Sequence, residues 1–322
     1  MSTKFRIYGC GGAGLNIVSQ LASGSKISLD NKTNIQYSYI DTSKSNIKNG
    51  ISDDDIYLLD DMDGSGKIRE ENHKEIGNVI KDILVKHKPE DFNAVVFSLS
   101  GGSGSVIGPL LISEMLSRGI SVLAVCVGTD ESVLTANNTL KSLKSLDAIA
   151  KKNNKALIMI YQHNDRGVPR GNIDNKIIGY LGGLAYLFSG NNEELDSQDL
   201  INWIDFTRTT SLGPQVGVLE VYSNSADVES KHPNPVSVAS LYSDKDVIGV
   251  NVVPEYHCAG YTQLDHLSVD QLQFVIDVKD VPVIAKRINE TLNQQKEVAN
   301  SRPQQGSLVS NNDNVEDSGL VL

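Results

Sequence analysis

The chain has 322 residues, room for two domains at about 150 residues each, and its 39% hydrophobic content supports an ordinary globular core. Its 29 Lys and Arg stand against 40 Asp and Glu, a net charge of −11 that opposes direct contact with nucleic-acid backbones or anionic membranes. Three widely spaced cysteines, Cys10, Cys126 and Cys258, give neither a disulfide framework nor zinc-ligand spacing, and the longest apolar run, Ile120 to Val127, is too short to span a bilayer.

From the N-terminus, short β-branched runs alternate with helical stretches. Strands are predicted at Lys4–Tyr8, Gln36–Ile40, Ile56–Leu59, Ala94–Leu99, Val122–Val127 and Ala156–Tyr161, with helices near Ala13–Ala22, Glu75–His87, Val106–Ser117 and Thr135–Lys151. Near-continuous apolar strands separated by helices predict an α/β domain with a parallel sheet covered on both faces. From Ile173, the residues Ile177, Ile178, Leu181, Leu184, Leu187 and Phe188 recur at helical spacing. A more alternating set, Val216–Tyr222, Val236–Tyr242, Val247–Val253 and Leu272–Val278, predicts a smaller mixed sheet, followed by a helix from Val283 to about Ala299. Beyond Ser301 the chain is polar and acidic, with Arg302 against Asp313, Glu316 and Asp317, and disorder is expected there.

The 27 glycines, against 9 prolines, concentrate the chemistry. The first glycine loop, GCGGAGLN from Gly9 to Asn16, joins the first strand to the first helix, where glycine brings backbone N–H groups close to phosphate oxygens. Taken alone it also satisfies G-x-G-x-x-G through Gly9, Gly11 and Gly14. Asp41 then follows at roughly the place of a ribose-binding acid, so a dinucleotide-dependent oxidoreductase competes at this point, as does a tight turn without ligand. The second loop, Ser98 to Ser105, sets Gly101, Gly102 and Gly104 with Ser103 and Ser105 between another apolar strand and helix. One such loop serves a dinucleotide, whereas two on one sheet edge grip a polyphosphate from both sides. The nucleophile elbow G-x-S-x-G fails at Ser105, and Gly64-Ser65-Gly66-Lys67 fails as a Walker A loop.

The stretch SLSGGSGSVIGPLLISEML resembles the GGGTGSG signature of the tubulin/FtsZ superfamily, with Ser100 and Ser103 standing for Gly and Thr. GCGGAGLN is similar to the first phosphate loop of FtsZ, departing from it at Ala13 and Leu15. The resemblance implies a Rossmann-like GTPase domain over residues 1–172, a core helix over 173–190, and a smaller α+β activation domain over 191–282. A C-terminal helix over 283–300 and an acidic tail over 301–322 complete the implied plan. It implies binding of GTP and GDP by Gly11, Gly12, Asn16, Asp41, Gly101, Gly102, Ser103, Gly104 and Ser105. Glu131 is implied as a ribose contact and Asn175, opening the core helix, as a guanine contact whose other reading is a helix cap. Thr135 stands where FtsZ carries arginine, and Gly64–Lys67 falls at the γ-phosphate-sensing loop without matching it closely. Mg2+ is expected with the triphosphate, its protein ligands unknown.

The sequence LDSQDL resembles the family's synergy loop and implies that Asp196 and Asp199 polarise an attacking water, although acids at a helix start also serve as caps. Asn175 and Asp196 are 21 residues apart, about 30 Å if helical, so the acids are expected to act on the nucleotide of the next subunit in a head-to-tail filament. The short chain and acidic tail favour the bacteriophage tubulins over FtsZ-like division proteins or plasmid-segregation tubulins. That resemblance implies dynamic filaments that position phage DNA or the phage replication compartment, with the tail reaching neighbouring subunits. No direct nucleic-acid or membrane contact is expected. MSTKFRIYG carries no signal-peptide pattern, so a cytoplasmic location is expected, the host's if the protein is viral. The acidic run Asp53–Asp63 is expected to be a solvated surface, not a calcium loop, and His257-Cys258 lacks partner ligands.

Overall fold

The computed structural model describes residues 3–24, 34–59, 66–69, 73–189, 192–262 and 269–302. Residues 303–322 of the acidic tail and the residues Asp60 to Ser65 therefore lie outside the described residues. Ten strands form one continuous sheet in the order β3-β2-β1-β4-β5-β6-β7-β10-β8-β9. The first six, β1 (Lys4–Cys10), β2 (Asn34–Asp41), β3 (Ile56–Leu58), β4 (Phe92–Ser98), β5 (Leu123–Thr129) and β6 (Leu157–Asn164), are all parallel. Between them run α1 (Gly11–Ala22), α2 (His73–Lys86), α3 (Gly104–Ser117) and α4 (Val133–Asn153), as the alternating pattern predicts.

Alternation within each strand feeds two cores. On β1, Phe5 and Ile7 join the core under α1, the long helix α5 (Arg170–Leu187) and α6 (Ser197–Ile204). Tyr8 and Cys10, pointing the other way, join the core under α2, α3, α4 and the C-terminal helix α8 (Asp280–Asn300). Trp203 of α6 is fully buried and meets Phe274 edge-on at 6.2 Å, a core residue as its apolar face suggests.

The smaller sheet is not separate. Strand β7 (Val216–Tyr222) pairs parallel with β6 through Leu157, Ile158 and Met159. Strands β10 (Gln271–Asp277) and β8 (Ser237–Tyr242) then pair antiparallel, and β9 (Tyr256–Tyr261) adds parallel to β8. The strand expected at Val247–Val253 is a loop. Its Val250 and Val252 pack on a small cluster with Val228 and Val238, while Ile248 and Val253 are 85% and 87% exposed. A short helix, α7 (Ser225–Lys231), capped by the Asn224 side chain, was not legible because only Val228 of it is buried.

Strand order reverses between β1 and β4: the chain leaves β1 toward β2 on one side and returns to β4 on the other. In open α/β sheets the crevice outside the carboxyl ends of two such strands is where ligands bind. Both glycine loops start there. No helix among the described residues is long and apolar enough to cross a membrane.

Candidate functional site

The loops after β1 and β4 touch. Gly11 has φ +68°, and a Cβ there would lie 2.7 Å from the Gly104 nitrogen; a Cβ on Gly104 would lie 2.6 Å from the Cys10 carbonyl oxygen. Only glycine permits this approach, which sets the N-termini of α1 and α3 side by side. Together they floor a cavity of about 610 Å³ whose walls include Gly11, Gly12, Asn16, Asp41, Gly101, Gly102, Ser103, Gly104 and Glu131. Ser103 Oγ lies 2.5 Å from Thr42 Oγ1, joining the second loop to the end of β2. Asp41, 3% exposed, accepts from the Thr42 nitrogen at 2.7 Å and from Asn46 Nδ2 at 2.8 Å, and burial raises its pKa despite these bonds.

Two predicted residues stand elsewhere. Ser105 does not reach the cavity: its hydroxyl donates to the Gly101 and Gly102 carbonyls at 2.6 and 2.9 Å, bracing the loop from inside. Asn175 is exposed and off the cavity wall, because α5 begins at Arg170 and presents Arg170 and Asp174 to the cavity instead. One residue is about 100° of rotation on a helix. Asp174 Oδ2 accepts from Asn16 Nδ2 at 2.9 Å, and Asn16 Oδ1 accepts from Lys48 Nζ at 2.8 Å. Burial raises the Asp174 pKa against those contacts. Asn164, at the end of β6, also lines the cavity, and its buried Oδ1 has no hydrogen-bond partner among the described residues. A carboxylate beside two side-chain amides suits a heterocycle with adjacent N–H donors and a carbonyl.

Gly66 and Lys67 add a further stretch of the cavity wall. Lys67, at φ +69°, lines the cavity, and its carbonyl accepts from Asn138 Nδ2 at 2.8 Å. The same amide donates to the Ser100 carbonyl at 3.2 Å, so the buried Asn138 of α4 ties this segment to the second glycine loop. Pro109 inside α3 has no N–H to offer the carbonyl four residues back, that of Ser105. Arg69 Nη2 occupies that acceptor at 3.2 Å. A proline that weakens the helix thus frees an anchor for the loop. Sequence reading missed Asn138, Asn164, Arg69 and Asp174. The proline within an apolar helix was the available signal for Arg69.

Asp196 and Asp199 lie apart from the cavity, at the start of α6. They form a reciprocal cap: Asp196 Oδ1 accepts from the Gln198 and Asp199 nitrogens at 2.7 and 2.9 Å, and Asp199 Oδ2 from the Asp196 nitrogen at 3.2 Å. Asp196 is exposed and Asp199 partly so. Capping employs one oxygen of each carboxylate; the other oxygen of Asp199, Oδ1, accepts from the Tyr256 hydroxyl at 3.3 Å, and the exposed Asp196 keeps acceptor capacity. No group of three His, Cys, Asp or Glu among the described residues converges to cage a metal. A hard cation at this cavity would therefore draw mainly on water and ligand oxygens, with the Ser103 hydroxyl and Asp41 as oxygen donors on the wall.

Known proteins share the fold and much of the sequence. The family model for the C-terminal domain of phage tubulin-like proteins matches residues 195–281. The phage tubulin-like protein of Pseudomonas phage PhiPA3 is 31% identical over 327 residues, covering 99% of both chains. A protofilament of TubZ from bacteriophage PhiKZ superposes with a TM-score of 0.88 at 29% identity, covering 99% of each chain. The phage tubulin PhuZ with GDP gives the same TM-score at 26% identity and the same coverage.

Proposed function

Because the chain belongs to the phage tubulin-like proteins, we propose that it is a GTP-binding cytoskeletal protein that polymerises head to tail and hydrolyses GTP. The observation that carries this reading is the joining of two glycine loops at the sheet's reversal point into one cavity with a carboxylate-and-amide end. Backbone N–H groups of α1 and α3 hold the phosphates, which explains how a chain of net charge −11 takes a polyanion. Asp174 and Asn164 read the base: a carboxylate accepts from guanine N1–H and the exocyclic amine but finds no donor pair on adenine's matching edge. Glu131 faces the ribose, and Lys67 closes the phosphate end. Mg2+ accompanies GTP and neutralises the crowded phosphate oxygens.

Asp196 and Asp199 orient the attacking water on the nucleotide of the adjoining subunit. The filaments position phage DNA or the phage replication compartment in the host cytoplasm, with the acidic tail engaging neighbouring subunits. Contact with DNA is indirect.

Sedimentation with GTP, GDP and a non-hydrolysable GTP analogue, with phosphate release followed in parallel, tests the reading. Pelleting is expected with GTP and the analogue and not with GDP, with phosphate released only from GTP. Binding of NAD without binding of GTP would overturn it. Asp199→Ala is expected to keep filaments while lowering turnover more than tenfold, the scale of a lost general base.

A further inference from the structure

The C-terminal helix carries a polar stripe that burial does not require. Ile288 and Leu292 supply the buried apolar face of α8. Beside them Arg287, Thr291 and Gln295 recur every four residues, which places them along one line of the helix. All three engage the ends of β5 and β6. Arg287 pairs with Asp165. Thr291, whose hydroxyl donates to the Arg287 carbonyl at 3.2 Å, lies beside the Asp130 carboxylate, which His163 Nε2 also faces at 3.3 Å. Gln295 Nε2 donates to the Asp130 carbonyl at 2.6 Å.

Asp130 is 8% exposed, and the next residue is Glu131, a wall of the nucleotide cavity. Arg166 Nη2 donates to the Glu131 carbonyl at 3.0 Å, and the Glu131 carboxylate meets Arg170 Nη2 of α5 at 3.4 Å. Glu131 also borders a second hollow of about 500 Å³ that includes Gln295, so α8 and the nucleotide contact the two sides of one short loop.

We infer that Arg287, Thr291 and Gln295 are positioning residues for nucleotide binding: α8 clamps Asp130 and thereby fixes Glu131 on the ribose side of the cavity. The inference rests on the GTP-binding reading above. It has a reciprocal consequence, because two contacts that favour one loop geometry stabilise each other: nucleotide must also seat α8. The ends that grip phosphate, at α1 and α3, are not part of this clamp.

The test compares GTP with inorganic tripolyphosphate, which lacks the ribose and base. In the full-length Thr291→Val, Gln295→Leu double variant, the Kd for GTP is expected to rise about tenfold, and the Kd for tripolyphosphate to stay within about twofold, hydrogen bonds of this kind being worth roughly that much. An unchanged Kd for GTP, or equal losses for both ligands, would overturn the clamp. Hydrogen exchange on the wild type gives an independent reading that needs no variant. GTP is expected to slow exchange across residues 284–299 more than tripolyphosphate does, and equal exchange with the two ligands would also overturn it. A wild-type protein that binds no GTP removes both this inference and the proposed function; a wild type that binds GTP, with an indifferent variant, removes the clamp alone.

Discussion

At the scale of single residues, Asp174 and Asn175 show how finely the site is set. Either residue type can hydrogen-bond guanine, but only Asp174 lies on the cavity wall, and a carboxylate accepts where an amide also donates. Asp174→Asn is therefore expected to weaken GTP binding by about ten- to a hundredfold, the worth of a charge-assisted hydrogen bond, and to favour xanthosine triphosphate instead. Titration calorimetry with both nucleotides checks this, and an unchanged preference for GTP would remove Asp174 from base recognition. The glycine loops were legible because their spacing alone carries the message; a helix register fixed by Pro169 and Arg170 was not. Far from the cavity, His87 is 2% exposed, its Nε2 has no partner among the described residues, and burial with the nearby Arg6 and Lys86 charges pushes its pKa down to about 4. The folded imidazole stays neutral while the unfolded one protonates near pH 6.5. Stability should then fall as pH drops from about 6.5 toward 4, by up to about 1.4 kcal/mol per pH unit. Urea unfolding across that range is expected to show the slope in the wild type and to lose most of it in His87→Leu.

At the scale of elements, α3 and α6 each do two jobs that substitutions can separate. Pro109→Ala returns an N–H to the Ser105 carbonyl and so competes with Arg69 for it. The variant is expected to stabilise α3 by about 1 kcal/mol or more, since proline is the poorest helix residue, yet to lower GTP turnover by loosening residues 66–69. Arg69→Ala should lower turnover without the rise in stability. Thermal unfolding and phosphate release on both variants distinguish the two, and full turnover in both would sever Arg69 from the site. In α6, Asp196→Ser keeps a capping oxygen while removing the carboxylate; Asp196→Ala removes both and should cost about 1 kcal/mol of stability. Turnover lost in the serine variant at unchanged stability assigns Asp196 to chemistry, and turnover kept assigns it to capping. Elements buried on both faces, such as β4 and β5, were readable as apolar runs, whereas Val247–Val253 was misread because a loop folded over a small apolar cluster repeats the valine spacing of a strand.

At the scale of the molecule, the cavity and the acids of α6 are at opposite ends of α5. Asp174 to the helix end at Leu187 spans 13 residues, about 20 Å, and Asp196 follows beyond a further turn of chain. Among the described residues, each carboxylate of the cavity wall is already engaged: Asp41 by Thr42 and Asn46, Glu131 by Arg170, Asp174 by Asn16. On the proposed function, these engaged carboxylates leave the attacking water to be oriented by an acid from a head-to-tail neighbour. Turnover per subunit is accordingly expected to rise steeply with protein concentration. Mixing gives a sharper test than dilution. Asp199→Ala keeps the cavity and loses the acid, while Gly11→Val keeps the acid and blocks the cavity, its side chain driven against Gly104. Each is expected to be inactive alone. Where sedimentation finds the Gly11→Val subunits carried at equal share into filaments that GTP-loaded Asp199→Ala subunits form, about a quarter of randomly made junctions join an intact cavity to an intact acid, and phosphate release should return to about that fraction of wild type. Activity that stays absent on mixing while both variants enter filaments, together with turnover independent of concentration, would place the acids on their own subunit's nucleotide and break the link between hydrolysis and assembly.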